Sequence, residues 1–157
     1  MSLSNKVWYF AYDADVNVGQ MSRQVGEWNL SKRALARSCR LAFDVFSSKW
    51  QGCVANLKQT DRFEDTVHGV VYLLTEDQFL RLQKHEGIPP LELKVELEDG
   101  NEISHAKTFV RAATAAERPP PEPYRRAMED GLLEHGYKKP LVDRILAGAG
   151  TRGRADA

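Results

Sequence analysis

The stretch from Leu74 to Pro90 constrains the chain more than any other, because its residues determine one helix and both of its ends. Thr75 can cap the helix, Gln78 can close a capping box three residues on, and Leu74 can staple onto Phe79. The helix therefore begins at Glu76. Gly87 can take the left-handed conformation that ends it, and Pro89-Pro90 forbid its continuation, which leaves Glu86 at the carboxyl end. Strand patterns flank it on both sides. Val67 to Leu74 is rich in Val and Tyr, with Gly69 as a bulge or point of close approach. Leu91, Leu93, Val95 and Leu97 alternate with Glu92, Lys94 and Glu96, and Asp99-Gly100 turns that strand into Ile103 to Val110 as a hairpin.

Elsewhere the punctuation is coarser. Val7 to Tyr12 reads as a buried strand that stops at the acidic cluster Asp13-Ala14-Asp15. Between Val16 and Lys32, Gly19 and Gly26 interrupt any helical period, so the expectation is a loop with at most a short helix. Leu35, Cys39, Leu41 and Phe43 share one parity of a second strand, and Arg37 on the same face must reach an edge or a partner. Val54 to Leu57 forms a short third strand after the bend at Trp50-Gln51-Gly52. Thr114 to Pro123 carries most of the seven prolines and predicts a stiff surface connector. A helix with Tyr124, Ala127, Met128, Gly131 and Leu132 on one face follows and ends at Gly136, and Pro140 suits the first turn of a last helix with Leu141, Val142, Ile145 and Leu146. The order of elements is α+β, a single domain over residues 1–147 with a mobile tail over 148–157 that has almost nothing to bury.

Composition narrows the function classes. In 157 residues, 22 basic side chains face 22 acidic ones, so no global field draws the chain to nucleic acid or to an anionic membrane. Cys39 and Cys53 lack zinc-site spacing and read as buried thiols. The polar start and the short strand after it have neither a signal-peptide core nor a membrane span, so a reduced cytoplasmic setting is the expectation.

Several phrases, taken in order, resemble the gamma-glutamylcyclotransferase family: Tyr9-Phe10-Ala11-Tyr12, Trp50-Gln51-Gly52-Cys53-Val54-Ala55, Val67-His68-Gly69-Val70-Val71-Tyr72, His85-Glu86-Gly87, and Pro120 to Gly136 with Tyr124 and Gly131. The resemblance spans most of Val7 to Leu146. It implies a small mixed β-barrel with flanking helices, a small-molecule substrate and no cofactor. It also implies that Glu86 takes a proton from the substrate amine as that nitrogen attacks a γ-carbonyl, giving 5-oxoproline and a released amine. Independently of the family, a carboxylate at the negative end of a helix and half covered by barrel walls should have its pKa raised toward the range of a general base.

Three departures from the family bear on substrate. Where its members usually carry Tyr-Gly-Ser-Asn as a substrate-binding loop, this chain has Tyr12, Asp13, Ala14 and Asp15. An ionised Asp about 4 Å from a substrate carboxylate would cost about 4 kcal/mol at an intermediate dielectric, too much for the same activity to survive unaltered. The loop after Gly87 is shortened and lacks a Tyr, and Cys53 replaces the second Gly of a Trp-x-Gly-Gly phrase, adding volume beside Trp50 and Gly52, which the resemblance places against the substrate. The leading expectation is a cyclotransferase-like enzyme acting through Glu86 on something other than a plain γ-glutamyl amino acid, by intramolecular cyclisation, amide cleavage or proton transfer. Ordinary cyclotransferase activity with both Asp side chains turned away is one alternative, and a non-catalytic binder of a small molecule or partner is another. Asp13, Asp15 and Glu86 can also be read as oxygen ligands of a cation, or the two Asp residues as simple caps of a turn. The oligomeric state is left open.

Overall fold

Residues 6–148 are described by a computed structural model. Strand β1 (Lys6–Ala11) carries the apolar run expected of it, with Tyr9, Phe10 and Ala11 buried. It is followed by a single 3-10 turn (Ala14–Val16), helix α1 (Val18–Val25) and strands β2 (Leu30–Arg37), β3 (Cys39–Ser47), β4 (Gly52–Gln59) and β5 (Thr66–Thr75). Helix α2 (Glu76–Glu86), the hairpin β6 (Leu91–Leu97) and β7 (Glu102–Thr108), and helices α3 (Glu122–Glu134) and α4 (Lys139–Gly148) complete the order. Of the tail expected over 148–157, Gly148 closes α4 and the rest lies outside the described residues.

Five strands close a barrel in the order β1-β5-β2-β6-β7, antiparallel throughout except where β7 returns to β1 through a parallel contact at Tyr9 and Lys107. Strands β3 and β4 form a separate antiparallel hairpin. The expected single strand through Leu35 and Phe43 is thus two strands of two sheets. Ser38, at φ 59, takes a left-handed backbone that breaks the run, and Arg37 reaches a partner in Glu96 of β6 at 2.6 Å. The loop expected before Lys32 holds α1, whose first turn is capped by Asn17 accepting from the Gln20 amide, and Gly26 ends it. Gly19 lies inside this helix instead of breaking it.

Helix α2 has the capping box read from the sequence, and Gly87 ends it in the left-handed conformation at φ 74. Gly69 is a point of close approach: a Cβ there would stand 2.1 Å from the Ala11 carbonyl oxygen at the end of β1. Both cysteines are buried free thiols. The Pro-rich connector covers the outer edge of β3, with the amides of Thr114 and Ala115 donating to the Asp44 carbonyl and that of Arg118 to Phe43. No helix among the described residues is long and apolar enough to cross a membrane.

Candidate active site

The end of β1 delivers Tyr12 and Asp13 to one end of the barrel, and the turn that follows is built from carboxylates. Asp13 Oδ1 accepts from the Asp15 amide at 3.0 Å and caps the 3-10 turn. Asp15 is buried, and both of its oxygens are engaged inside the protein, by Tyr9 Oη at 2.7 Å and Gln24 Nε2 at 2.6 Å. Its backbone carbonyl accepts from Tyr72 Oη at 2.7 Å. Asp13 and Asp15 both line the cavity at this end of the barrel.

Glu86 reaches the same cavity from the end of α2. Arg111, just beyond β7, donates through Nη2 to both the Glu86 carbonyl and Glu86 Oε1, each at 2.7 Å. One nitrogen therefore satisfies a carbonyl left open by the helix terminus and pairs with the side chain that terminates it. Arg111 carries no local motif that marks it in the sequence as a site residue. The signal available was a charged residue closing the apolar run Phe109-Val110.

These groups line a cavity of about 440 Å³ that also takes in Ala14, Lys49, Trp50, Asn56, Phe109 and Tyr124. Trp50 packs edge-on against Tyr124, with ring centroids 5.1 Å apart. Of the residues expected at the site, Tyr12, Asp13, Ala14, Asp15, Trp50 and Glu86 come together here. Gly52 and Cys53 lie elsewhere. A Cβ on Gly52 would stand 2.7 Å from the Pro121 ring, so its close approach is to the connector, and Cys53 is buried in the core cluster. A larger groove of about 760 Å³ runs between β2, β6 and the β3–β4 hairpin, but its charged side chains are largely occupied with one another, as in Arg37–Glu96 and Lys94–Glu102. The cation reading gains no support, since no group of three or more His, Cys, Asp or Glu among the described residues is disposed to hold a metal ion.

Burial and mutual repulsion set the electrostatics. Glu86 is pushed above the usual carboxylate range by burial and then by the charge of Asp15, with Arg111 opposing. Asp13 is pushed well above it by burial, then by Asp15 and Glu86. Asp15 is raised by burial, against the hydrogen bonds from Tyr9 and Gln24. Raised carboxyl groups make the folded chain bind more protons than the unfolded chain above about pH 4. The stability they contribute is complete below that pH and is lost as pH rises through the raised values. Asp13→Asn keeps an oxygen for the Asp15 amide and removes one ionisation. It should therefore melt about 2–4 °C above wild type at pH 8 and show a smaller gap at pH 5. A gap that does not change with pH would mean Asp13 titrates normally.

No family model and no curated protein matches the chain. Solved structures do. A gamma-glutamyl cyclotransferase superposes with a TM-score of 0.81 at 21% identity, over 89% of this chain and 86% of its own. An uncharacterized protein from Homo sapiens gives 0.78 at 21% identity, over 90% and 86%. A gamma-glutamyl cyclotransferase specific to glutathione from yeast gives 0.61 at 12% identity, over 91% and 95%. With its closed five-stranded barrel, separate hairpin and four helices, the chain has the gamma-glutamyl cyclotransferase fold.

Proposed function

We propose that this chain is a cyclotransferase-like enzyme in which Glu86 moves the proton, acting on a small molecule other than a plain γ-glutamyl amino acid. The observation that carries the reading is Glu86 itself: a carboxylate with a raised pKa at a helix terminus, held by Arg111 and facing a cavity of small-molecule size. In an intramolecular cyclisation the Glu86 carboxylate accepts a proton from the attacking nitrogen as the new C–N bond forms. The resulting carboxylic acid then protonates the leaving nitrogen as the old amide bond breaks. The residue ends as it began, and neither metal nor redox step enters the balance. Amide cleavage with water as the attacking group uses the same two transfers.

Asp13 supports the restriction on substrate. Asp13 lines the cavity in the loop where the resembling family has neutral donors, and in its ionised form, above its raised pKa, it opposes an anionic head there. A second reading, ordinary cyclotransferase activity, is favoured by Asp15, whose carboxylate is turned onto Tyr9 and Gln24 and leaves the cavity to the loop's backbone. Calorimetric titration with a γ-glutamyl amino acid and with 5-oxoproline, at fixed pH and salt, separates the two. Wild type should bind both weakly and release little 5-oxoproline, and Asp13→Asn should bind at least ~10-fold more tightly. Efficient 5-oxoproline release by wild type, or equal affinity in the two proteins, would replace the first reading by the second.

A further inference from the structure

Arg111 stands past the last residue of β7, where the ladder of the barrel has ended and no neighbouring strand serves its backbone. Its amide and carbonyl are nevertheless both paired, and by one side chain. The Arg111 amide donates to Asn56 Oδ1 at 3.1 Å, and Asn56 Nδ2 donates to the Arg111 carbonyl at 2.8 Å. A carboxamide presents an acceptor and a donor side by side, as a peptide group does, so Asn56 supplies what an adjacent strand would have supplied.

Asn56 is itself 1% exposed and is held from behind. Its Nδ2 also donates to Asp44 Oδ1 at 3.1 Å, and Asp44 Oδ2 pairs with Lys58 Nζ at 2.8 Å. Asp44 lies at the irregularity in the β3–β4 register between Phe43 and Val45. Its carbonyl accepts from the amides of Thr114 and Ala115 at 2.9 and 3.1 Å. The segment from Arg111 to Ala115 is therefore tied to the hairpin at both ends, through Asn56 at one and the Asp44 carbonyl at the other.

We propose that Asn56 is a positioning residue of the candidate active site, whose side-chain amide fixes the backbone of Arg111 so that the guanidinium stays on Glu86. This path runs from the β3–β4 hairpin through Asn56 and Arg111 to the end of α2. It gives the separate two-stranded sheet a role in setting the proton affinity of Glu86. The other charged or titratable groups that face Glu86 are Asp13 and Asp15 from the turn, Tyr9 and Tyr12 from β1 and its end, His85 from α2, and Lys49 from the hairpin turn. They set its baseline. Asn56 acts on Glu86 through Arg111.

The proposal rests on the reading of Glu86 as the proton-transfer residue, but its test requires no turnover, so the two can fail separately. The protein labelled with ¹³C at the Glu side-chain carboxyl is titrated by NMR, and the Glu86 signal is identified by its loss in Glu86→Gln. Removing the guanidinium in Arg111→Met should raise the Glu86 midpoint by about 1 pH unit or more. Asn56→Ala should raise it in the same direction, by about half that shift or more, because an untethered Arg111 spends less time on the carboxylate. In the Arg111→Met background, Asn56→Ala should add nothing, a non-additivity that simple loosening of the core would not produce.

A folded Asn56→Ala with the wild-type midpoint, or with the same shift whether or not Arg111 is present, overturns the proposal. Asn56→Ser is the substitute should the Ala variant not fold, with the same expected direction. Wild type can also be read directly, through the scalar coupling across the hydrogen bond from the Arg111 amide to the Asn56 side-chain carbonyl. Its absence would overturn the proposal without any variant.

Discussion

Glu86→Gln is expected to keep the fold and to lower turnover by at least ~10²-fold, the lower end of what a positioned acid or base contributes. The amide matches the carboxylate in shape, and its Oε1 can still accept from Arg111, so the end of α2 and the cavity should be unchanged. What is lost is the capacity to take up a proton and return it. Because Glu86 is a half-buried carboxyl with a raised pKa, a neutral amide should also leave the melting temperature near neutral pH equal to or above that of wild type. Activity and stability should therefore part company. The measurement is kcat on the substrate wild type turns over, alongside a thermal melt of both proteins. Activity within a few-fold of wild type would remove Glu86 from the mechanism, and loss of both activity and fold would make it a structural residue.

Gly131→Ala should destabilise the protein by about 2 kcal/mol or more, although an Ala for Gly exchange inside an ordinary helix gains up to about 1 kcal/mol. The sign is reversed by what lies against α3. A Cβ at Gly131 would stand 2.5 Å from Asn17 N and Val16 C and 2.6 Å from Val16 O. All three are backbone atoms, so no side chain can swing away to make room. They belong to the turn that follows Asp13 and to the residue that caps α1, and Asn17 Nδ2 is bonded to the Ala127 carbonyl of α3 at 3.1 Å. Relief of the clash must move α3 or the acidic turn, and Tyr124 on α3 lines the cavity. A drop in melting temperature of roughly 4–8 °C is expected. A variant that melts at or above wild type would mean that the helix and the turn are packed less closely than described.

What could be read in advance was what short-range chemistry determines. The α2 helix, its cap at Thr75 and its stop at Gly87 are encoded within a dozen residues, and that grammar put Glu86 at a helix terminus correctly. The same holds for the Asp99-Gly100 turn and for Gly136, which has positive φ after α3. The break at Ser38 was not legible, because a left-handed residue is recognisable in a sequence when it is Gly or Asn, and here it is Ser. The bounds of the short helix α1 were not legible, because Gly19 obscures the helical period that Asn17 initiates. At the site, the carboxylates were visible as types, but their directions were not. Asp15 faces inward because Tyr9 and Gln24 are brought to it by β1 and α1, a consequence of packing and not of the Asp-Ala-Asp phrase. Arg111 and Asn56 meet their partners at separations of 25 and 55 residues, beyond the reach of any local pattern.

The parallel seam between β1 and β7 also governs how the protein comes into being. Every other pairing in the barrel is antiparallel, whereas this one joins the first strand to the last, with Thr108 Oγ1 bonded to the Phe10 carbonyl at 2.8 Å. Contacts this distant in sequence carry a large loop-closure cost before they return any stabilisation, so the seam belongs among the late events of folding. The cavity draws on Tyr12 from one side of that seam and on Phe109 and Arg111 from the other. No partly folded chain can hold it. A compound that occupies the cavity will therefore stabilise the closed barrel as a whole, and it should slow amide exchange along β1 and β7 as strongly as at the cavity wall.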